Sequence, residues 1–195
     1  MTDDELLGLV GREWNDLPSE AAEGIDPKFL DRPRTLRRAH EIIKKYLPEL
    51  GRPEHHMEVV DVSCGNSSFL EAARAYGAGV IGIDNRYASC AASQGIAYID
   101  HDCQEFPYPL AGQGVDIVSC QGAITFYCDA KGGLRPAAPT AVLDEFARIA
   151  RRAILLSVNK GEIRDRILPE IAAWESPGWH RELSGPTWWR WARRD

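Results

Sequence analysis

The 195-residue chain has no apolar run long enough to cross a bilayer, and its opening residues, MTDDELLGLV, are acidic where a secretion signal is basic. Both absences point to a cytoplasmic protein with no membrane partner. Paired cysteines are missing as well. Cys64, Cys90, Cys103, Cys120 and Cys128 are odd in number and form no CxxC pattern, which indicates neither a disulfide framework nor a metal site. A basic surplus is also lacking. With 23 Lys and Arg against 29 Asp and Glu the net charge is −6, so nucleic acid is not indicated as a partner. No internal repeat and no segment of low complexity interrupts the chain.

What is present is enough for one sizeable core, since 44% of the residues are hydrophobic. Residues 1–52 read as a helical cap packed on a core formed by residues 53–195. In the cap, Leu6, Leu7, Val10 and Trp14 have helical spacing, residues 18–27 read as a loop, and a second helix spans residues 33–47. That second helix and its approach gather Arg32, Arg34, Arg37, Arg38, Lys44 and Lys45. Its Leu36, Ala39, Ile43 and Leu47 would face inward, leaving the basic residues as a solvated face.

Residues 58–86, EVVDVSCGNSSFLEAARAYGAGVIGIDNR, carry the most information. An apolar strand is followed by a polar turn, a helix from Ser68, and a second strand that ends in Asp84. Backbone N–H groups of the turn and the positive end of the helix suit an anion. The 19 residues separating Gly65 from Asp84 match the spacing at which a doubly wound nucleotide-binding unit keeps its ribose-binding carboxylate.

Strand and helix signals go on alternating after Asp84. Residues 86–93 suit a short helix, 96–100 and 115–120 strands, 139–150 a helix, 153–158 a buried strand and 163–174 a further helix. The segments WHREL and TWWRWA, separated by Ser184, Gly185 and Pro186, read as an antiparallel hairpin. Alternation of this kind predicts an α/β fold, a doubly wound and mostly parallel sheet with ligands at the carboxyl ends of its strands. In the hairpin, strand alternation buries Trp189 and sets Trp188 and Trp191 at different depths, so that some either form an interface or, as is commoner, pack under the N-terminal helices.

From Glu58 onward the chain resembles the class I S-adenosylmethionine-dependent methyltransferases, whose Rossmann-like sheet ends in an antiparallel C-terminal hairpin strand. The family's acid-x-Gly-x-Gly-x-Gly turn corresponds here to Asp61-Val62-Ser63-Cys64-Gly65-Asn66-Ser67. Its acid at the end of the second strand corresponds to Asp84. The segment HDCQEFPYPLAGQGVDIVSC, residues 101–120, follows the layout of the family's third turn and fourth strand.

The resemblance implies S-adenosyl-L-methionine as cofactor and assigns roles. Asp61 and the turn containing Ser63, Gly65 and Ser67 would hold the amino-acid head. Asp84 would accept from both ribose hydroxyls, since one carboxylate takes two hydrogen bonds side by side. Asp102 would accept from the adenine amino group, the Cys103 N–H would reach a ring nitrogen, and Cys120 would line the methionine end. Gln121, Thr125 and Tyr127, in a loop over residues 121–133, are the candidates for orienting an acceptor, and no catalytic base stands out among them. A small-molecule acceptor, or a modest protein or RNA, would be methylated by in-line displacement. Ser63 and Ser67 replace two of the family's glycines. Serine serves there if its dihedrals are ordinary, and Asn66, which tolerates a left-handed backbone, is expected to take over the special position.

Two other classes compete. The two serines and the missing base also suit a catalytically inactive partner subunit that kept the fold. A nicotinamide oxidoreductase shares the strand-turn-helix logic, but Ser68 stands where its helix-packing glycine would be, and a Tyr-x-x-x-Lys pair is absent. The Asn/Asp-Pro-Pro-aromatic signature of amino-methylating nucleic-acid enzymes is absent after the fourth strand. Cys120 lacks the preceding proline of cytosine-C5 enzymes, so it reads as a pocket wall.

Overall fold

The computed structural model describes residues 1, 2, 4, 5, 8, 31–51, 56–85, 95–128, 137–159, 162–185 and 187–194. The expected helix containing Leu6 and Trp14, the loop over 18–27 and the helix over 86–93 lie outside the described residues. The chain divides into two compact units, Met1–Asp100 and His101–Asp195.

In the first unit, helix α1 (Arg32–Tyr46) starts where the Asp31 carboxylate accepts from the Arg34 N–H and stops before Pro48, which opens the 3-10 turn Pro48–Gly51. Its apolar stripe of Leu36, Ala39, Ile42, Ile43 and Leu47 is buried, while Arg34, Arg37, Arg38, Lys44 and Lys45 are exposed. Strands β1 (Glu58–Val62), β2 (Gly79–Asp84) and β3 (Ala97–Asp100) are all parallel, in the order β3-β2-β1. Helix α2 (Ser68–Ala75) forms the crossover from β1 to β2, as parallel pairing requires. It packs against α1, with Thr35 Oγ1 2.8 Å from Ser68 Oγ and Tyr76 Oη 3.1 Å from His40 Nδ1. Gly82 in β2 is required by volume, because a Cβ there would sit 2.7 Å from Cys64 Sγ and 3.2 Å from a Leu70 methyl.

The second unit contains β4 (Val115–Gln121), the helical turn α3 (Ile124–Tyr127), α4 (Pro139–Ile149), β5 (Ala150–Ser157), α5 (Glu162–Ala173), β6 (Trp179–Ser184) and β7 (Trp188–Arg193). Its strands lie in the order β4-β5-β7-β6, and β7 runs antiparallel to both of its neighbours. The seven strands therefore have the expected class, parallel except in the closing hairpin. Strand β5 begins three residues before the expected Ala153. Helix α4 passes into it without a loop, and Arg151 and Arg152, which read as linker charges, lie in the strand and pair with buried Asp116 at 3.3 and 3.1 Å. Residues 121–133 were expected to be loop, yet four of them form α3.

Trp174, Trp179, Trp189 and Trp191 are buried. Trp189 and Trp191, two apart on β7, are both buried while Trp188 is partly exposed, as alternation requires. Trp191 stands edge-on to Trp174 at 5.4 Å, and the Trp174 indole N–H donates to Asp144 Oδ1 at 2.9 Å. Trp189 lines a cleft with Asp165, Leu168, Pro169 and Ala172 of α5, and the first expected N-terminal helix lies outside the described residues. Cys64, Cys103, Cys120 and Cys128 are buried free thiols.

Candidate cofactor site

In the first unit the turn between β1 and α2 brings five of the expected residues together. Asp61 is buried on β1, in register with Gly82, and the chain then bends sharply. Ser63, Gly65 and Ser67 have φ of 58°, 51° and 59°, so every second residue is left-handed. This overturns the expectation that Asn66 takes over the special position. Asn66 stays out of the left-handed region and its side-chain oxygen accepts from the Ser68 N–H at 3.1 Å. Both serines keep the conformation that glycine adopts freely, at a cost of about 1–2 kcal/mol each.

Hydrogen bonds lock this conformation. The N–H groups of Ser63 and Cys64 donate to the Ile83 carbonyl at 2.8 and 3.3 Å, and that of Ser67 to the Cys64 carbonyl at 2.8 Å. The Gly65 N–H donates to Asp84 Oδ2 at 3.1 Å across 19 residues of sequence. The carboxylate at the end of β2 and the apex of the turn thus form one structure. These N–H groups are engaged within the protein, so the turn is not simply the open anion cradle that its composition suggests. Ser67 is fully buried, its hydroxyl directed at Cys64 Sγ 3.8 Å away. The space over Gly65 is open, with nothing within 4 Å of where a Cβ would stand. An open apex beside a carboxylate is chemically suited to a nucleoside bearing a vicinal diol.

In the second unit Asp102 and Cys103 form a tight turn. Asp102 Oδ1 accepts from the Gln104 N–H and the Asp102 carbonyl from the Glu105 N–H, both at 2.9 Å. Cys120 is fully buried near the end of β4. Beyond it, Gln121 is partly exposed, with Nε2 3.4 Å from Ser119 Oγ. Thr125 and Tyr127 are both buried, and the Thr125 hydroxyl donates to the Gly122 carbonyl at 2.9 Å. Residues 121–128 contain no His, Asp or Glu.

A cluster that the sequence did not suggest fixes the loop after Cys103. The Tyr108 N–H donates to Glu145 Oε1 at 2.7 Å, and its hydroxyl donates to the Cys103 carbonyl at 2.9 Å. Arg148 makes a two-pronged bond to Glu145, at 2.7 Å from Nε and 2.6 Å from Nη2, and also donates to the carbonyls of Leu110 and Tyr108 at 2.9 and 3.0 Å. The Glu145 bond raises the Arg148 pKa. The only trace in the sequence is the i,i+3 spacing of Glu145 and Arg148, which marks a helix surface pair without naming its target.

A family model described as a methyltransferase domain matches residues 60–156. No curated protein matches the chain. Among solved structures, the magnesium protoporphyrin IX methyltransferase of Synechocystis PCC 6803 with bound SAH is similar at 15% identity, over 98% of this chain and 94% of that one, with a TM-score of 0.56. A possible histamine N-methyltransferase of Thermotoga maritima is similar at 14% identity, over 86% and 94%, with a TM-score of 0.56. A SAM-dependent methyltransferase of Aquifex aeolicus gives 16% identity, 83% and 97%, and 0.51.

Proposed function

Because the chain belongs to the class I S-adenosylmethionine-dependent methyltransferases, we propose that it uses S-adenosyl-L-methionine to methylate a small-molecule nucleophile by in-line displacement. The observation that carries this reading is the Gly65 N–H bond to Asp84, which joins the ribose carboxylate to the apex of the turn. Asp84 would hold the ribose diol, and Asp61 with Ser63, Gly65 and Ser67 would form the wall at the amino-acid head. Asp102 and Cys103 would read the adenine edge, and Cys120 would bound the methionine end.

When bound, the cofactor supplies an electrophilic methyl group on a sulfonium. The chain's contribution is orientation and exclusion of water. Of the three acceptor-facing candidates, Gln121 is the most exposed, and it offers both a donor and an acceptor. Thr125 and Tyr127 would act through the shape of α3. An acceptor atom that carries an available lone pair at working pH would need no base from the chain, with any proton lost to solvent afterwards.

Titration calorimetry with S-adenosylhomocysteine tests the cofactor, and binding at one site per chain is expected. Mass spectrometry of a panel of small amines, thiols and phenols incubated with enzyme and S-adenosylmethionine tests the acceptor, with a gain of one methyl group expected. Binding without methylation of any small molecule, alongside methylation of a protein or RNA, would refute the small-molecule reading.

A further inference from the structure

The Asp102–Cys103 turn closes on itself through local bonds, which shape it but do not aim it. A trans peptide sets the Cys103 N–H opposite the Asp102 carbonyl. That carbonyl is turned inward by the Glu105 N–H, so the Cys103 N–H faces out of the turn. The tie from this turn to helix α4 runs through Tyr108. Its hydroxyl holds the Cys103 carbonyl, its N–H is held by Glu145, and its carbonyl by Arg148. Its ring is wedged edge-on to His101 at 5.7 Å and to Phe106 at 5.4 Å, with Phe146 of α4 at 6.3 Å. Tyr108 is only 1% exposed.

We propose that Tyr108 is a positioning residue for the adenine end of the cofactor. Its hydroxyl aims the Asp102–Cys103 turn, and the Glu145–Arg148 pair holds Tyr108 against α4. The inference rests on reading Asp102 and Cys103 as the adenine contacts. Burial, with added repulsion from nearby negative groups including Glu145 and Asp102, drives the phenol pKa far above its usual range. The hydroxyl therefore remains a donor throughout the working pH range.

Tyr108→Phe keeps the ring and removes the one bond to Cys103. Calorimetry would compare S-adenosylhomocysteine with S-inosylhomocysteine, in which a carbonyl replaces the adenine amino group. Wild type should prefer the adenosyl ligand. In Y108F that ligand should bind about fivefold more weakly, with the inosyl analogue nearly unchanged, so the preference falls. Hydrogen exchange at residues 103–105 of the ligand-free protein should accelerate by a similar factor. Glu145→Gln, which retains an acceptor for the Tyr108 N–H, should shift the preference in the same direction by less, and it carries the test alone if Y108F does not fold. A lowered melting temperature with an unchanged ligand preference would mean a purely structural role and overturn the proposal. Failure of wild type to bind S-adenosylhomocysteine would overturn the reading beneath it as well, and is visible before any variant is made.

Discussion

Two turns at strand ends, one in each unit, are built on opposite principles. The turn at residues 63–67 is shaped by its backbone: three alternating left-handed residues, two of them serines, are fixed by main-chain bonds to β2 and by the Asp84 carboxylate. The Asp102–Cys103 turn contains no left-handed residue, and a clamp of side chains from a residue 5 positions on and a helix about 40 positions on holds it in place. The first stores strain where a ligand would bind, and the second contains no left-handed residue but depends on a part-buried ion pair. A single substitution should therefore have different consequences in the two places.

The sharpest test of the contrast is Asp84→Ala. It removes both the proposed ribose acceptor and the restraint on Gly65, so affinity for S-adenosylhomocysteine should fall about 100-fold or more by calorimetry. An unchanged affinity would separate the carboxylate from the ligand. Arg148→Ala comes next. It leaves Glu145 buried with only the Tyr108 N–H, and chemical denaturation should show a loss of about 2 kcal/mol, discounted because the Arg148 side chain is 35% exposed. The backbone-built turn should answer to glycine content instead. Gly65→Ala, at φ 51°, should cost about 1–2 kcal/mol, whereas Ser63→Gly should gain about 1 kcal/mol through relief of a left-handed serine. Equal and small effects at both positions would argue that the turn relaxes freely. The smallest expected effect is on titration. The folded pKa of Tyr108 lies above its unfolded value of about 10, so its contribution to stability is complete below that pH and is lost as pH rises beyond it. The ultraviolet difference between wild type and Y108F should show no phenolate from this residue while the protein stays folded.

Much of this was legible in the chain. Apolar runs marked β1, β2 and β4, the last after Gly112 and Gly114, and the Pro33 and Pro48 brackets marked α1, because these signals depend on neighbours in sequence. The start of β5 was missed because Arg151 and Arg152 look like linker residues until Asp116 is seen opposite them. The left-handed serines were missed because propensity assigns that conformation to Gly65 and Asn66, and the bonds to Ile83 and Asp84 override it. Tyr108 does not stand out in the sequence, since its partners are 5 and 37 positions away.

Gly82 carries a consequence beyond its own strand. The space that its missing side chain leaves is filled by the Cys64 sulfur, so two residues 18 positions apart share a single methyl-sized volume. Neither can drift alone: enlarging one demands shrinking the other, and the energetics of the two positions are coupled rather than additive. Evolution or an engineer reshaping this bend would have to trade bulk between strand and turn in matched steps.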